Sequence, residues 1–166
     1  MSDDFQSCAG GCTCGEVRYK VHAKPPLIVH ACHCRWCQRQ TGAPHVINAI
    51  YESNLIELTK GEVETLTVPS PSGEGQTIAR CPSCKVALWS NYLVTGLADK
   101  IRFLRVGTLD NPDLMPPDVH IYTSTKMPWY VLPENHYAVE EYYDQETTWR
   151  PDAMERIKAW KKECDA

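Results

Sequence analysis

Seven of the nine cysteines in this chain fall into three clusters: Cys12-Thr13-Cys14, Cys32-His33-Cys34-Arg35-Trp36-Cys37, and Cys81-Pro82-Ser83-Cys84. Two cysteines two or three positions apart can reach one metal ion from a single tight turn. Zn2+ takes four tetrahedral ligands, at about 2.3 Å when they are thiolates. Core packing gives thiols no reason to bunch in this way, and metal binding does. A fold that carries three such clusters must bring distant turns together, so they constrain topology more than any apolar run. The start, Met1-Ser2-Asp3-Asp4-Phe5, is acidic where a secretory leader is basic, and no apolar stretch follows. The expected compartment is cytoplasmic, where thiols stay reduced and clustered cysteines read as ligands before they read as disulfides.

Two partitions of the thiols compete. In one, Cys12, Cys14, Cys81 and Cys84 close a four-cysteine site across 66 intervening residues, and Cys32, Cys34 and Cys37 form a three-thiolate site. Three protein ligands plus an open position is the arrangement of catalytic zinc. In the other, Cys32/Cys34 or Cys34/Cys37 joins Cys81/Cys84, and Cys12/Cys14 must find other partners. The first strands fewer thiols and is preferred. Spacing alone leaves open whether the middle cluster is catalytic or is completed by a histidine, with His30 and His33 at hand. A thioredoxin-like redox pair is disfavoured, because Cys81/Cys84 does not open a helix in a βαβ context. Cys8 and Cys164 are left without a role.

The rest of the composition is that of a globular protein. At 166 residues, 43% hydrophobic and 23% charged, the chain can bury roughly 70% of its extended-chain surface, so zinc is not needed merely to rescue a tiny fold. No apolar run approaches the ~20 residues of a membrane helix. Lys+Arg 17 against Asp+Glu 21 leaves no basic excess for phosphate backbones. Neither nucleic acid nor membrane is expected as a partner. A zinc tetrathiolate carries −2 and a zinc trithiolate −1, so the formal charge of −4 becomes −7 when both sites are loaded. That excess gives Arg35 and Arg39, beside the middle cluster, a reason to be there.

Period-two alternation at 17–22 predicts a half-buried strand, and short β-branched or aromatic runs at 27–29, 46–51, 63–68, 77–80, 86–90 and 101–106 predict six more. Pro25-Pro26, Gly61 and a Pro/Ser/Gly loop at 69–75 separate several of them. A mostly-β domain follows. A short helix is expected at 35–40, stopped by Gly42. Pro151-Asp152 opens a second, with Met154, Ile157 and Trp160 as its apolar stripe, packed on the domain or on a partner subunit in a homodimer. The expected organisation is an N-terminal tail (1–9), a zinc domain (10–141) and a helical C-terminal extension (142–166).

Three stretches carry a resemblance: Gly11-Cys12-Thr13-Cys14-Gly15-Glu16-Val17-Arg18-Tyr19; Cys32-His33-Cys34-Arg35-Trp36-Cys37-Gln38-Arg39-Gln40-Thr41-Gly42-Ala43-Pro44; and Cys81-Pro82-Ser83-Cys84. Downstream, Val106-Gly107-Thr108-Leu109-Asp110-Asn111-Pro112, Pro116-Pro117-Asp118-Val119-His120-Ile121-Tyr122 and Lys126-Met127-Pro128-Trp129 continue it. In order and spacing these resemble the glutathione-dependent formaldehyde-activating enzyme (GFA) family, which also includes centromere protein V. The resemblance implies a mostly-β, Mss4-like fold, a tent of folded sheets with zinc sites. It implies two Zn2+ per chain, structural on Cys12, Cys14, Cys81 and Cys84 and catalytic on Cys32, Cys34 and Cys37. It implies a carbon–sulfur lyase acting on glutathione-type thiol adducts of formaldehyde or related electrophiles. A non-catalytic zinc-stabilised interaction module is the alternative. Lys85 stands where the family has Gly, and the stretch from about Tyr142 to Ala166 lies outside the pattern.

Cleaving an S-hydroxymethyl thioether needs a stabilised leaving thiolate and a group to take the hydroxyl proton. His33 is the expected catalytic partner of Cys32, Cys34 and Cys37, with His30, His45, His120 and Tyr122 as other candidates. Arg35 or Arg39 is expected to offset thiolate charge or to grip a substrate carboxylate. Trp36 and Trp129 are candidates for the cavity wall.

Overall fold

The computed structural model describes residues 6–70, 72–93 and 99–164. The acidic start, Pro71 of the loop at 69–75, and the last two residues of the C-terminal extension lie outside them. The described residues form eleven strands: β1 (Cys8–Gly11), β2 (Arg18–Val21), β3 (Ile28–Cys32), β4 (Val46–Glu52), β5 (Ile56–Lys60), β6 (Glu64–Val68), β7 (Gln76–Arg80), β8 (Ala87–Tyr92), β9 (Ile101–Arg105), β10 (Val119–Ile121) and β11 (Tyr137–Ala138). Three α-helices accompany them: α1 (Arg35–Thr41), α2 (Gln145–Thr148) and α3 (Pro151–Cys164). All seven expected strands and both expected helices are present, displaced by a few residues at most. The strands not anticipated are β1, built of Cys-Ala-Gly-Gly, and β5, β10 and β11. In β5 only Ile56 is buried, and β10 and β11 are three and two residues long.

The strands make two sheets. A small sheet has the order β1-β2-β5, and a large one the order β11-β10-β3-β4-β9-β8-β7-β6. Every pairing is antiparallel except those of β10 with β3 and β11. Strand alternation gives the large sheet two apolar faces. Val29, Ala49, Tyr51 and Leu104 join Val17, Tyr19 and Trp89 in a core shared with the small sheet. Ile28, Cys32, Val46, Ile50 and Ile101 belong to a second core with Tyr143, Trp149, Ala153 and Ile157 of the C-terminal segment. With both faces covered, β3 and β4 read in the sequence as nearly continuous apolar runs rather than as alternating ones. The two cores explain why a chain of this length has room for two separate thiol sites.

The amphipathic stripe on α3 packs on this second face. Trp160 Nε1 donates to the Lys100 carbonyl (2.6 Å), and the Arg156 guanidinium grips both Glu52 oxygens (3.0 and 2.8 Å). Close backbone approach elsewhere demands glycine: a Cβ on Gly10 would lie 2.5 Å from the Thr108 carbonyl oxygen and 2.3 Å from the Tyr19 hydroxyl.

Candidate functional site

The four-thiol cluster is built by two matching turns. One follows β1; the other links β7 to β8. In the first, Gly15 N–H donates to the Cys12 carbonyl (3.2 Å) and Cys12 N–H to the Val17 carbonyl (3.1 Å). In the second, Lys85 N–H donates to the Cys81 carbonyl (3.0 Å) and Cys81 N–H to the Val86 carbonyl (3.0 Å). Each turn closes on a left-handed residue, Gly15 at φ 73° and Lys85 at φ 60°. The four sulfurs lie within 4.8 Å of one another, Cys12 to Cys14 at 3.5 Å and Cys14 to Cys81 at 3.7 Å. Sulfurs on one tetrahedral zinc stand about 3.8 Å apart, so the donor set suits that ion. Burial works to raise the Cys12 thiol, yet the Val17 N–H and the neighbouring thiols bring it down to about 6. The cluster joins the small sheet to the large one.

The three-thiol cluster forms where β3 runs into α1. Cys32 ends the strand, Cys34 is the residue before the helix with its Sγ accepting from Cys37 N–H (3.3 Å), and Cys37 sits one turn in, buried. All three sulfurs are within 4.8 Å of one another. Hydrogen bonds from Cys32 and Cys37 hold the Cys34 thiol far below its ordinary range, while sharing with Cys34 and Cys37 pushes Cys32 far above it. Three thiols this close cannot all ionise without a cation among them, and Zn2+ with its preference for sulfur fits that need. The Cys37 thiol is pushed up on balance, its hydrogen bond with Cys32 opposed by that with Cys34 and by burial, and Arg105, 6% exposed and bonded to the Asn48 carboxamide, is a buried cation that acts against the rise. Arg35 and Arg39 are exposed; Arg35 reaches Gln38 Oε1 at 2.8 Å.

Cys32 and Cys34 form part of the wall of a cavity of about 630 Å³. His30, Arg35, Trp36, Arg39 and Tyr122 line it as well. His33, His45 and His120 do not. His33, expected as the catalytic histidine, lies off the cavity wall: its Nε2 meets His120 Nδ1 at 3.0 Å, and its ring packs against those of His45 and Tyr130, centroids 4.9 and 5.1 Å away. Alternation explains which histidine reaches the cavity. Along β3, Ile28, His30 and Cys32 share one face, so it is His30 that accompanies the ligand into the cavity; reading the strand as ending at 29 hid that signal. His30 is wholly buried, which lowers it to about 3, and its Nδ1 has no protein partner. Trp129, the other expected wall residue, is 66% exposed and away from the cavity.

The wall also holds residues that sequence reasoning did not single out: Tyr92, Phe103, Tyr142 and Trp149. No spacing ties them to the cysteines. No helix among the described residues is long and apolar enough to cross a membrane.

Fold and site together define a mostly-β protein with two thiol centres suited to zinc, one tying two sheets together and one opening on a cavity. The family model of the glutathione-dependent formaldehyde-activating enzyme matches residues 7–125, and the chain belongs to that family. Among solved structures it is similar to a Rhodobacter sphaeroides protein, 21% identical, with 66% of this chain and 96% of that chain covered at a TM-score of 0.48. No curated protein matches the chain.

Proposed function

We propose that this protein is a zinc-dependent carbon–sulfur lyase acting on small, glutathione-type thiol adducts of formaldehyde or a related electrophile. The observation that carries the reading is that Cys32 and Cys34 lie on the cavity wall while the four-thiol cluster does not. Membership of the family supports the chemistry. Cys32, Cys34 and Cys37 would hold the zinc, which would supply a Lewis acid for a leaving sulfur. Cys12, Cys14, Cys81 and Cys84 would hold a second zinc with four protein ligands, which would serve the fold.

The chain's own residues do the rest. His30, on the cavity wall with its Nδ1 buried and without another partner, would hydrogen-bond the hydroxyl of the adduct. Tyr122, its phenol pushed up to about 12 by burial, stays protonated and donates. Arg35 and Arg39, exposed on the cavity's lining, suit the carboxylates of a glutathione-type thiol. Arg105 offsets the thiolate charge from within the protein. A reducing, cytoplasmic compartment keeps these thiols available to metal.

The test is the exchange between glutathione, formaldehyde and S-hydroxymethylglutathione, followed by NMR with zinc-loaded protein. Acceleration that disappears when zinc is stripped and returns with zinc supports the lyase. A fully zinc-loaded protein that leaves the exchange rate unchanged favours the non-catalytic interaction module instead.

A further inference from the structure

The family match ends at residue 125, yet three of the residues on the cavity wall, Tyr142, Gln145 and Trp149, come from beyond it. The segment that supplies them is fixed rather than loosely apposed. Tyr122 N–H donates to the Glu141 carbonyl (2.8 Å), Arg150 Nη2 to the Pro26 carbonyl (2.9 Å) and Arg156 Nη1 to the Pro25 carbonyl (2.8 Å). Tyr143, Trp149, Ala153 and Ile157 are buried in the same core as Ile50 and Ile101. The wall they complete is mostly apolar and aromatic. Around His30 the Phe103, Tyr142 and Tyr143 rings stand at 5.9, 6.4 and 6.3 Å between centroids, and Tyr142 also packs on Tyr122 at 6.2 Å.

A hydroxymethyl group is a single carbon. A cavity of about 630 Å³ is of the size that takes a drug-sized ligand, in the range of roughly 300–1,000 Å³, and burying unpaired peptide or carboxylate groups against such a wall is costly. The electrophile's side of the adduct is therefore the part that the apolar wall fits, with the thiol's charged groups towards Arg35 and Arg39. Resting on the lyase reading above, we infer that the C-terminal segment tunes the site to thiol adducts of aldehydes that carry an aromatic or branched apolar group. In such a hemithioacetal the C–S bond breaks with its electron pair leaving on sulfur, the O–H pair becomes the C=O bond, and the released proton ends on the thiol. No oxidant or reductant is needed. Tyr142 and Trp149 are the specificity-determining residues.

Two stable thioethers, S-benzylglutathione and S-methylglutathione, test this by calorimetry on the zinc-loaded protein, because neither can be cleaved at a hydroxyl-bearing carbon. The benzyl compound is expected to bind at least about 10-fold more tightly, in line with the 10–200-fold that one extra methylene brings in an apolar pocket. Tyr142→Ala and the more conservative Trp149→Phe should each shrink that ratio several-fold, and two variants guard against one that fails to fold. In turnover, the hemithioacetal of benzaldehyde should show the higher kcat/KM against that of formaldehyde, with the preference reduced in both variants. Equal binding of the two thioethers, or a ratio unmoved by both variants, overturns the inference and leaves the lyase reading standing. Failure to bind either compound, together with no turnover of either hemithioacetal, overturns both.

Discussion

At Lys85 a lysine occupies left-handed backbone, φ 60°, in the turn that presents Cys81 and Cys84. A β-carbon there costs about 1 kcal/mol that glycine does not incur, and the family's glycine at this place has its physical reason in that angle. The exposed ion pair of Lys85 with Glu64 (2.6 Å) returns little. Lys85→Gly should therefore raise unfolding stability by about 0.5 kcal/mol, read from denaturant melts; a loss would contradict the account. The histidines away from the cavity give a pH prediction. Burial lowers both His45 and His120, the latter also because His45 and His136 stand near. Their folded-state pKa lies below the unfolded value, so the unfolded chain binds more protons as pH falls through about 6.5, and stability drops from there downwards. The His45→Gln/His120→Gln double variant should show a shallower loss of Tm between pH 7 and pH 5 than the parent, and an identical slope would contradict this. What the sequence made plain at this scale was which thiols come together, four in one cluster and three in the other. The direction of the His33 side chain was not plain, because it depends on where β3 ends, and a boundary is the least certain part of a strand read from composition.

Among the elements, α3 ties the C-terminal segment to the large sheet. Its stripe was legible from spacing, and so was its start at Pro151. What could not be read was the strand it covers, because the Arg156–Glu52 grip spans 104 residues of sequence and follows from topology alone. Glu52 is 5% exposed, so removing its partner leaves a buried charge. Arg156→Met should cost about 3 kcal/mol and lower Tm by roughly 6–12 °C for a chain of this size. A change within 2 °C would show that the pair contributes little. The strands β5, β10 and β11 escaped sequence reasoning for a related reason: they are defined by what they pair with, β5 and β11 burying one residue and none, and β10, though buried throughout, being only three residues long.

Across the whole molecule, the large sheet separates two kinds of work. The face shared with the small sheet carries the four-thiol cluster and holds the fold together; the face under the C-terminal segment carries the three-thiol cluster and the cavity. Metal at a closed site contributes folding energy outright, so Cys81→Ser should lower Tm sharply and drop the zinc content of what remains soluble. Cys34→Ser, on the cavity side, should retain the fold and the zinc of the other site. Mass-spectrometric zinc counts should give about two ions per chain for the parent and one for Cys34→Ser. The measurement that bears most directly on the division of roles is the rate at which zinc-loaded Cys34→Ser releases thiol from S-hydroxymethylglutathione, compared with the parent at equal folded concentration. The rate should fall by more than about 100-fold, beyond the effect of losing a merely supporting partner; a rate within twofold of the parent would contradict the assignment of the three-thiol cluster to catalysis.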